Sequence, residues 1–162
     1  LYTLSGKPSS IPANNINIRM QMFVAKSPES CYRAWRNFEN IPLFMPHISD
    51  VKVVYENISE WKAKLDGNPV EVSWRASVVR DIPGEEISWK SLPDSMIDNV
   101  GKVEFRPATE AEGTDVHVTI SYKPPFGLVG DAITSFFKPS LEKVVREDVF
   151  NFKQFVESNI NY

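Results

Sequence analysis

The chain has 162 residues, of which 42% are hydrophobic and 24% are charged, a balance typical of a globular protein. Its length fits one domain, which would bury about 70% of the surface of the unfolded chain. The net charge of -3 offers no attraction for a phosphate backbone, so we do not expect nucleic acid as a partner.

The cysteine and glycine content limits the chemistry further. Cys31 is the single cysteine, which excludes an internal disulfide and a Cys/His metal cluster. Glycines are too sparse for a phosphate-binding loop, so we expect neither a metal nor another cofactor. No apolar run of about 18 residues occurs, and no transmembrane helix is predicted. We expect a soluble cytoplasmic protein, although a bacterial envelope protein would have the same composition, and a targeting segment ahead of Leu1 stays open.

The first predicted elements are an arm and a strand. Residues 1–14 contain prolines, serines and asparagines without periodicity, which indicates an extended arm before a single domain over residues 15–162. Apolar residues then alternate with polar ones from Ile18 to Val24. This period of two predicts a half-buried strand.

Two short helical segments follow this strand. Ser27 suits an N-cap and Pro28 suits the first helical position, so a short helix should begin there. The next stretch, IPLFMP at residues 41–46, places four large apolar side chains between and beside two prolines. We call it the elbow and predict one helical turn that ends before Pro46.

Six further strands are predicted between Val51 and Tyr122. Apolar residues alternate through six segments, and the turn sequences between them are short enough for antiparallel neighbours. No connection is long enough for a helical crossover, which rules out a parallel sheet here. The large residues that we expect to face inward are Tyr55, Trp61, Trp74, Trp89, Phe105 and Tyr122.

The C-terminal third changes to a helical period. Apolar residues form a stripe from Leu128 to Val156, and Pro139 should end or kink its first piece. A long helix is therefore predicted from about Pro139 to Ser158. The fold class is α+β, with a curved seven-stranded antiparallel sheet around this helix and two short helices after the first strand.

The inward strand positions combine very large side chains with small ones. Ala63 and Ala76 alternate with the tryptophans on the predicted inner face. This pairing is consistent with a cavity between the sheet and the long helix, and equally with a tightly packed core.

Several motifs in this order resemble a known family. They are WRNFENIPLFMPHISDV, VSWRA, ISWKS, NVGKVEF and YKPPFGLVG. Together they are similar to the polyketide cyclase/dehydrase-like proteins of the START and pollen-allergen superfamily, including its coenzyme Q-binding branch. The resemblance implies the helix-grip fold and a long apolar cavity. It leaves function open, because that scaffold holds lipid carriers, quinone binders and aromatic-ring cyclases.

The resemblance also implies a position for the cavity mouth. Ile41, Leu43, Phe44 and Met45 of the elbow would form one lip, and Phe126, Leu128 and Val129 the facing lip. In this hypothesis the elbow is a gate, with Phe44 partly exposed; the alternative is a plug, with Phe44 fully buried. The candidate ligand-binding residues are Phe44, Met45, Tyr55, Trp74, Trp89, Phe105, Tyr122 and Leu128.

No catalytic residue is predicted. The inward strand positions contain no ionisable acid or base, and only Tyr55 and Tyr122, with Ser91 at a strand end, offer polar groups there. We expect His117 to face outward. His47 follows Pro46 and could reach the cavity mouth, where it, Tyr55 or Tyr122 would be the weak acid or base of a cyclase, but we expect it at the surface or at a helix end.

Three functions remain open at this stage. An apolar lining with few polar anchors favours a protein that binds or carries a hydrophobic or amphipathic small molecule, namely a lipid, an isoprenoid quinone or a polyketide. It would then contact a membrane surface transiently through the cavity mouth. The alternatives are a polyketide cyclase or aromatase-like enzyme and an interaction module that uses the outer face of the sheet. An inward carboxylate or histidine would favour catalysis over simple binding. The oligomeric state is not predicted.

Overall fold

The computed structural model of the chain describes residues 15–65, 67, 69–124 and 130–162. Its strands are β1 (Ile16–Val24), β2 (Ile48–Tyr55), β3 (Ile58–Ala63), β4 (Val72–Ile82), β5 (Glu86–Ser91), β6 (Asp98–Pro107) and β7 (Thr114–Lys123). They form one antiparallel sheet in the order β1-β7-β6-β5-β4-β3-β2. The predicted meander is confirmed. The predicted arm over residues 1–14 lies outside the described residues, and its separation from a single domain over 15–162 stays a prediction.

Two short helices connect β1 to β2. They are α1 (Pro28–Arg36) and α2 (Ile41–Phe44), with one turn of 3-10 helix (Phe38–Asn40) between them. The Ser27 hydroxyl accepts a hydrogen bond of 3.1 Å from the backbone N–H of Ser30, so the predicted N-cap is confirmed. The helical turn of the elbow also ends as predicted, at residue 44.

The C-terminal segment forms α3 (Asp131–Phe136) and α4 (Leu141–Glu157), and Pro139 lies between them as predicted. The apolar stripe of α4 is buried. One of its residues, Phe152, lies 4.9 Å from Trp35 of α1 between ring centroids, so the two helices share one core. None of the described helices is both long and apolar enough to cross a membrane.

Polar contacts attach the end of α4 to the end of β1. Lys153 Nζ donates to the carbonyl oxygen of Phe23 at 2.6 Å. The carboxylate of Glu157 accepts from the backbone N–H of Ala25 at 2.8 Å. These bonds hold α4 along the concave face of the sheet, as the predicted grip of sheet on helix requires.

The thiol of Cys31 is fully buried in this core. Burial raises the pKa of the Cys31 thiol to about 11. The thiolate is the reactive form, and at a pH well below its pKa the Cys31 thiol stays protonated and unreactive. We expect 5,5′-dithiobis(2-nitrobenzoate) at pH 8 to label Cys31 only after the protein is unfolded in guanidinium. Rapid stoichiometric labelling of the native protein would contradict this placement.

Candidate ligand-binding site

Three tryptophans form an aromatic layer on the concave face of the sheet. Trp61 of β3 and Trp74 of β4 are directly opposite in the strand register. Their rings stack with centroids 6.0 Å apart, and Trp61 also stacks on Trp89 of β5 at 6.4 Å. Each of the three is only 2–3% exposed. We call these residues the tryptophan layer.

Tyr122 and Phe105 are also buried on the concave side. The predicted inward orientation of Trp74, Trp89, Phe105 and Tyr122 is therefore confirmed. Tyr122 contacts Trp74 edge-on, with ring centroids 5.9 Å apart. Phe105 lies farther along the sheet. Asn99 of β6 pairs with Tyr122, and Phe105 is six residues, or about 20 Å, from Asn99 along the same strand.

Gly101 of β6 makes room for the tryptophan layer. A Cβ atom at this position would lie 2.0 Å from the Trp89 indole. Gly101→Ala must therefore displace the ring, and we expect a loss of about 1–3 kcal/mol of stability. Chemical denaturation measures this loss, and near-ultraviolet circular dichroism should report a changed tryptophan environment. A variant with unchanged stability and an unchanged spectrum would show that the ring does not lie over Gly101.

Among the described residues, aromatic side chains fill the concave face around the tryptophan layer. The inward rings contact one another, as the tightly packed alternative predicts, and the open form of the cavity is not what these residues adopt. A depression of about 680 Å³ lies elsewhere, where Lys90, Val100 and Lys123 are among its lining residues. A ligand at the tryptophan layer would therefore have to separate rings that are in contact here.

Phe44 and Met45 of the elbow are buried, each with 2% exposure. The Phe44 ring lies 5.2 Å from Phe152 and 5.3 Å from Phe155 of α4. The expectation that Phe44 is partly exposed is therefore wrong, and its position is that of a plug. Residues 41 and 44 of the helical turn share one side, which faces α4. Leu43 points away from it and is 69% exposed.

The facing lip of the predicted mouth cannot be compared with the elbow. Its residues Phe126, Leu128 and Val129 lie outside the described residues. The proposed role of Leu128 in binding therefore stays a prediction.

The inward placement of Tyr55 is wrong. Its side chain is 68% exposed, and Val53 on the same strand is 47% exposed. β2 is one of the two edge strands of the sheet, and its buried residues Ile48 and Val51 are three positions apart rather than two. Its pairing with β3 also shifts register between Val53 and Tyr55, which interrupts the period of two.

His47, by contrast, is buried, with 3% exposure, so its predicted surface position is wrong. Its Nδ1 lies 2.7 Å from Oδ2 of Asp148 on α4, and its backbone N–H donates to the same oxygen at 2.8 Å. Its Nε2 lies 3.0 Å from the hydroxyl oxygen of Tyr122. The buried strand positions that the structure describes hold no ionisable acid or base, as predicted, but a turn and α4 supply a histidine and a carboxylate to the interior, which was not predicted. We call His47, Asp148 and Tyr122 the buried polar network.

The hydrogen-bond geometry sets the direction of this network. The Asp148 carboxylate accepts from the backbone N–H of His47, and the ring Nδ1–H donates to it as well. Burial, and to a lesser extent the negative charge of Asp148, raises the pKa of Tyr122 above its usual range. Tyr122 therefore keeps its proton, and its hydroxyl is paired with Nε2 of His47. The order of groups, a hydroxyl, an imidazole and a carboxylate, is that of the activated nucleophiles of hydrolases, with a phenol as the hydroxyl.

One feature of the sequence indicates this network, although the network was not predicted. Asp148 follows Leu141 and Val145 at helical spacing and precedes Phe152 on the same stripe. A carboxylate on the buried face of an amphipathic helix requires a partner, so its presence indicates an interior polar site. His47 carried no such signal, because it lies in a turn between α2 and β2. Among the described residues, no group of three His, Cys, Asp or Glu side chains is placed to hold a metal.

The fold defines a class of protein. A curved antiparallel sheet that holds a long C-terminal helix, with short helices after β1, is the helix-grip architecture. Residues 24–147 match the family model described as polyketide cyclase / dehydrase and lipid transport, and the chain belongs to this family.

Solved structures agree with this assignment. The Deinococcus radiodurans protein DR_A0006 superposes with a TM-score of 0.70 at 32% identity, over 88% of this chain and 97% of that one. The Zhui aromatase/cyclase from Streptomyces sp. R1128 superposes with a TM-score of 0.66 at 12% identity, over 89% of this chain and 94% of that one. A START superfamily protein from Mycobacterium smegmatis superposes with a TM-score of 0.64 at 14% identity, over 90% of this chain and 97% of that one. The likeness to the last two shows the fold alone.

Proposed function

We propose that this protein binds a hydrophobic or amphipathic small molecule, of the lipid, isoprenoid quinone or polyketide classes, against the tryptophan layer. The observation that carries the proposal is the chemistry of the concave face. Large aromatic surfaces cover it, and the buried polar network contacts one end of them through Tyr122. This combination suits a ligand with an apolar body and a polar group at one position.

The family supports this class of ligand without choosing among its members. Its description names both polyketide chemistry and lipid transport. Both kinds of compound are largely apolar and carry oxygen atoms. Binding opens the packed interior, and Met45 beside the aromatic rings is a flexible side chain that suits such rearrangement.

A substitution that adds bulk to the concave face tests the proposal. The probe is the fluorescent fatty acid 11-(dansylamino)undecanoic acid, and we expect saturable binding of one molecule per chain. Ala76→Leu adds bulk beside Trp74 on the concave face and should weaken binding about tenfold, or 1.4 kcal/mol. Val79→Leu is the matched control, because Val79 lies on the same strand and is 60% exposed.

Thermal denaturation first establishes that both variants are folded. Equal affinity in the two variants would place the probe outside the concave face. If neither this probe nor a quinone bound saturably, the proposed function itself would be contradicted.

The buried polar network favours a second candidate, a cyclase or aromatase-like enzyme. Tyr122, with His47 behind it, could exchange a proton with a bound poly-β-ketone. Tyr122→Phe removes the hydroxyl and keeps the ring. An enzyme would convert such a substrate, lose conversion in this variant and still bind the dansyl probe. Binding without conversion by the unmodified protein would leave the carrier function.

Leu43 supports a proposed transient contact with membranes. This exposed leucine follows Pro42 on the outside of the elbow, and Met45 and Phe44 lie behind it. Leu43→Asp should slow the transfer of the dansyl probe from protein to phosphatidylcholine vesicles while leaving its equilibrium affinity unchanged. An unchanged transfer rate would contradict this contact.

A further inference from the structure

The indole N–H groups of the four tryptophans differ in whether the fold provides a hydrogen-bond acceptor. Trp61 Nε1 donates to the hydroxyl oxygen of Ser59 at 2.8 Å. Trp89 Nε1 donates to Oδ1 of Asn99 at 3.1 Å. Both acceptors are themselves buried. Two members of the tryptophan layer therefore have a hydrogen-bond acceptor built into the sheet.

Trp74, the third member of the layer, has none. Its Nε1 is buried and finds no hydrogen-bond partner among the described residues, and the same is true of Trp35 Nε1. Leaving a buried donor unpaired is costly, so such groups are rare and call for an explanation.

The surroundings of the two unpaired donors differ. The ring contacts of Trp35 are with Phe44, Trp89 and Phe152, aromatic side chains that we call the apolar cluster. Trp74 instead meets the edge of Tyr122, whose hydroxyl belongs to the buried polar network. Trp74 alone of the two lies where the interior already holds polar groups.

Tyr122 does not supply the missing acceptor in this structure, and its hydroxyl is paired with His47 Nε2. The region beside Trp74 therefore offers a free N–H donor. An oxygen atom about 2.9 Å from Nε1 would satisfy it. The oxygen of a ligand carbonyl or hydroxyl group has the required chemistry, whereas a hydrocarbon chain has not.

We infer that Trp74 Nε1 is the hydrogen-bond donor that fixes an oxygen atom of the ligand, with the apolar part of the ligand on the tryptophan layer. This inference rests on the proposed function and narrows it. The ligand carries a carbonyl or hydroxyl oxygen on or next to its apolar body, as quinones and polyketides do. A ligand with only a distant carboxylate headgroup does not meet this requirement.

A shape-matched pair of compounds tests the inference. The probe is 2,3-dimethyl-1,4-naphthoquinone, whose substituted ring positions resist addition of thiols, and the reference is 2,3-dimethylnaphthalene, which lacks the oxygens. The indole N–H signals of ¹⁵N-labelled protein are assigned with Trp→Phe variants. We expect the quinone to shift the Trp74 indole proton downfield, as a hydrogen bond does, and the hydrocarbon to cause no downfield shift.

Affinities of variants supply the second readout. Trp74→Phe removes the donor and keeps an aromatic ring, so quinone binding should weaken about tenfold while hydrocarbon binding changes less than about twofold. Trp35→Phe is the matched control, since it removes the other unpaired donor from the apolar cluster. It should leave both affinities within about twofold.

Two results would overturn the inference, and they differ in what they leave standing. Quinone binding with an unshifted Trp74 signal and equal affinity in Trp74→Phe would remove the inferred donor and keep the proposed function. Absence of binding of the quinone, the hydrocarbon and the dansyl fatty acid would remove both.

Discussion

Phe44→Asp is expected to lower the free energy of unfolding by about 4 kcal/mol or more, measured by urea denaturation. The ring is 2% exposed and packs against Trp35, Phe152 and Phe155. The substitution removes these contacts and places a carboxylate where no described cation faces it, and such a charge is among the most damaging changes in a core.

The matched control is Leu43→Asp, one residue earlier in the same elbow. Leu43 is 69% exposed, so its replacement should change stability by less than about 0.5 kcal/mol. The pair separates the two hypotheses for the elbow. A plug predicts the large difference between neighbours; near-equal stability of the two variants, with impaired ligand uptake in Phe44→Asp, would restore the gate.

Asp148→Ala is the second substitution with a large expected effect. It removes the acceptor of both the backbone N–H and the Nδ1–H of His47. Each buried donor left without an acceptor costs about 1–3 kcal/mol, so the two donors of His47 together cost about 2–6 kcal/mol. We expect a loss of that size in urea denaturation at pH 7.

Glu147→Ala controls for the loss of a negative charge on α4. Glu147 is the preceding residue and is exposed, so its replacement should cost less than about 0.5 kcal/mol. A small effect of Asp148→Ala, equal to that of the control, would mean that the carboxylate does not hold His47 in the interior.

Local patterns were sufficient for most of the fold. The alternation within β4 and β7 predicted both strands and their buried faces, because a period of two places every second residue on one side. Ser27 and Pro139 marked helix boundaries for reasons that lie within one turn of the chain. These features depend on near neighbours, which a single sequence displays.

The errors concern properties that depend on distant residues. Tyr55 fits the alternation of β2, but its exposure accompanies the register shift between β2 and β3, which only the pairing of the two strands reveals. His47 and Asp148 are 101 positions apart and pair only when α4 lies against the α2–β2 turn. Asp148 showed its buried position through helical spacing, whereas its partner could not be identified from spacing alone.

The buried polar network changes the balance between binding and catalysis. An interior histidine and carboxylate favour the enzyme more than an entirely apolar face would. Both nitrogens of His47 are, however, already engaged in this structure, by Asp148 and by Tyr122. In the proposed carrier the network would be the polar end of the site, and in an enzyme it would act only if the Tyr122 hydroxyl reached the substrate.

Native mass spectrometry tests the central claim most directly. The protein is incubated separately with oleic acid, a short-chain ubiquinone and a hydroxylated anthraquinone, and the intact complex is weighed. We predict a 1:1 adduct with at least one of these compounds, reduced in Ala76→Leu and retained in Val79→Leu. The unliganded mass alone with all three compounds, or an adduct equally abundant in both variants, would contradict binding at the tryptophan layer.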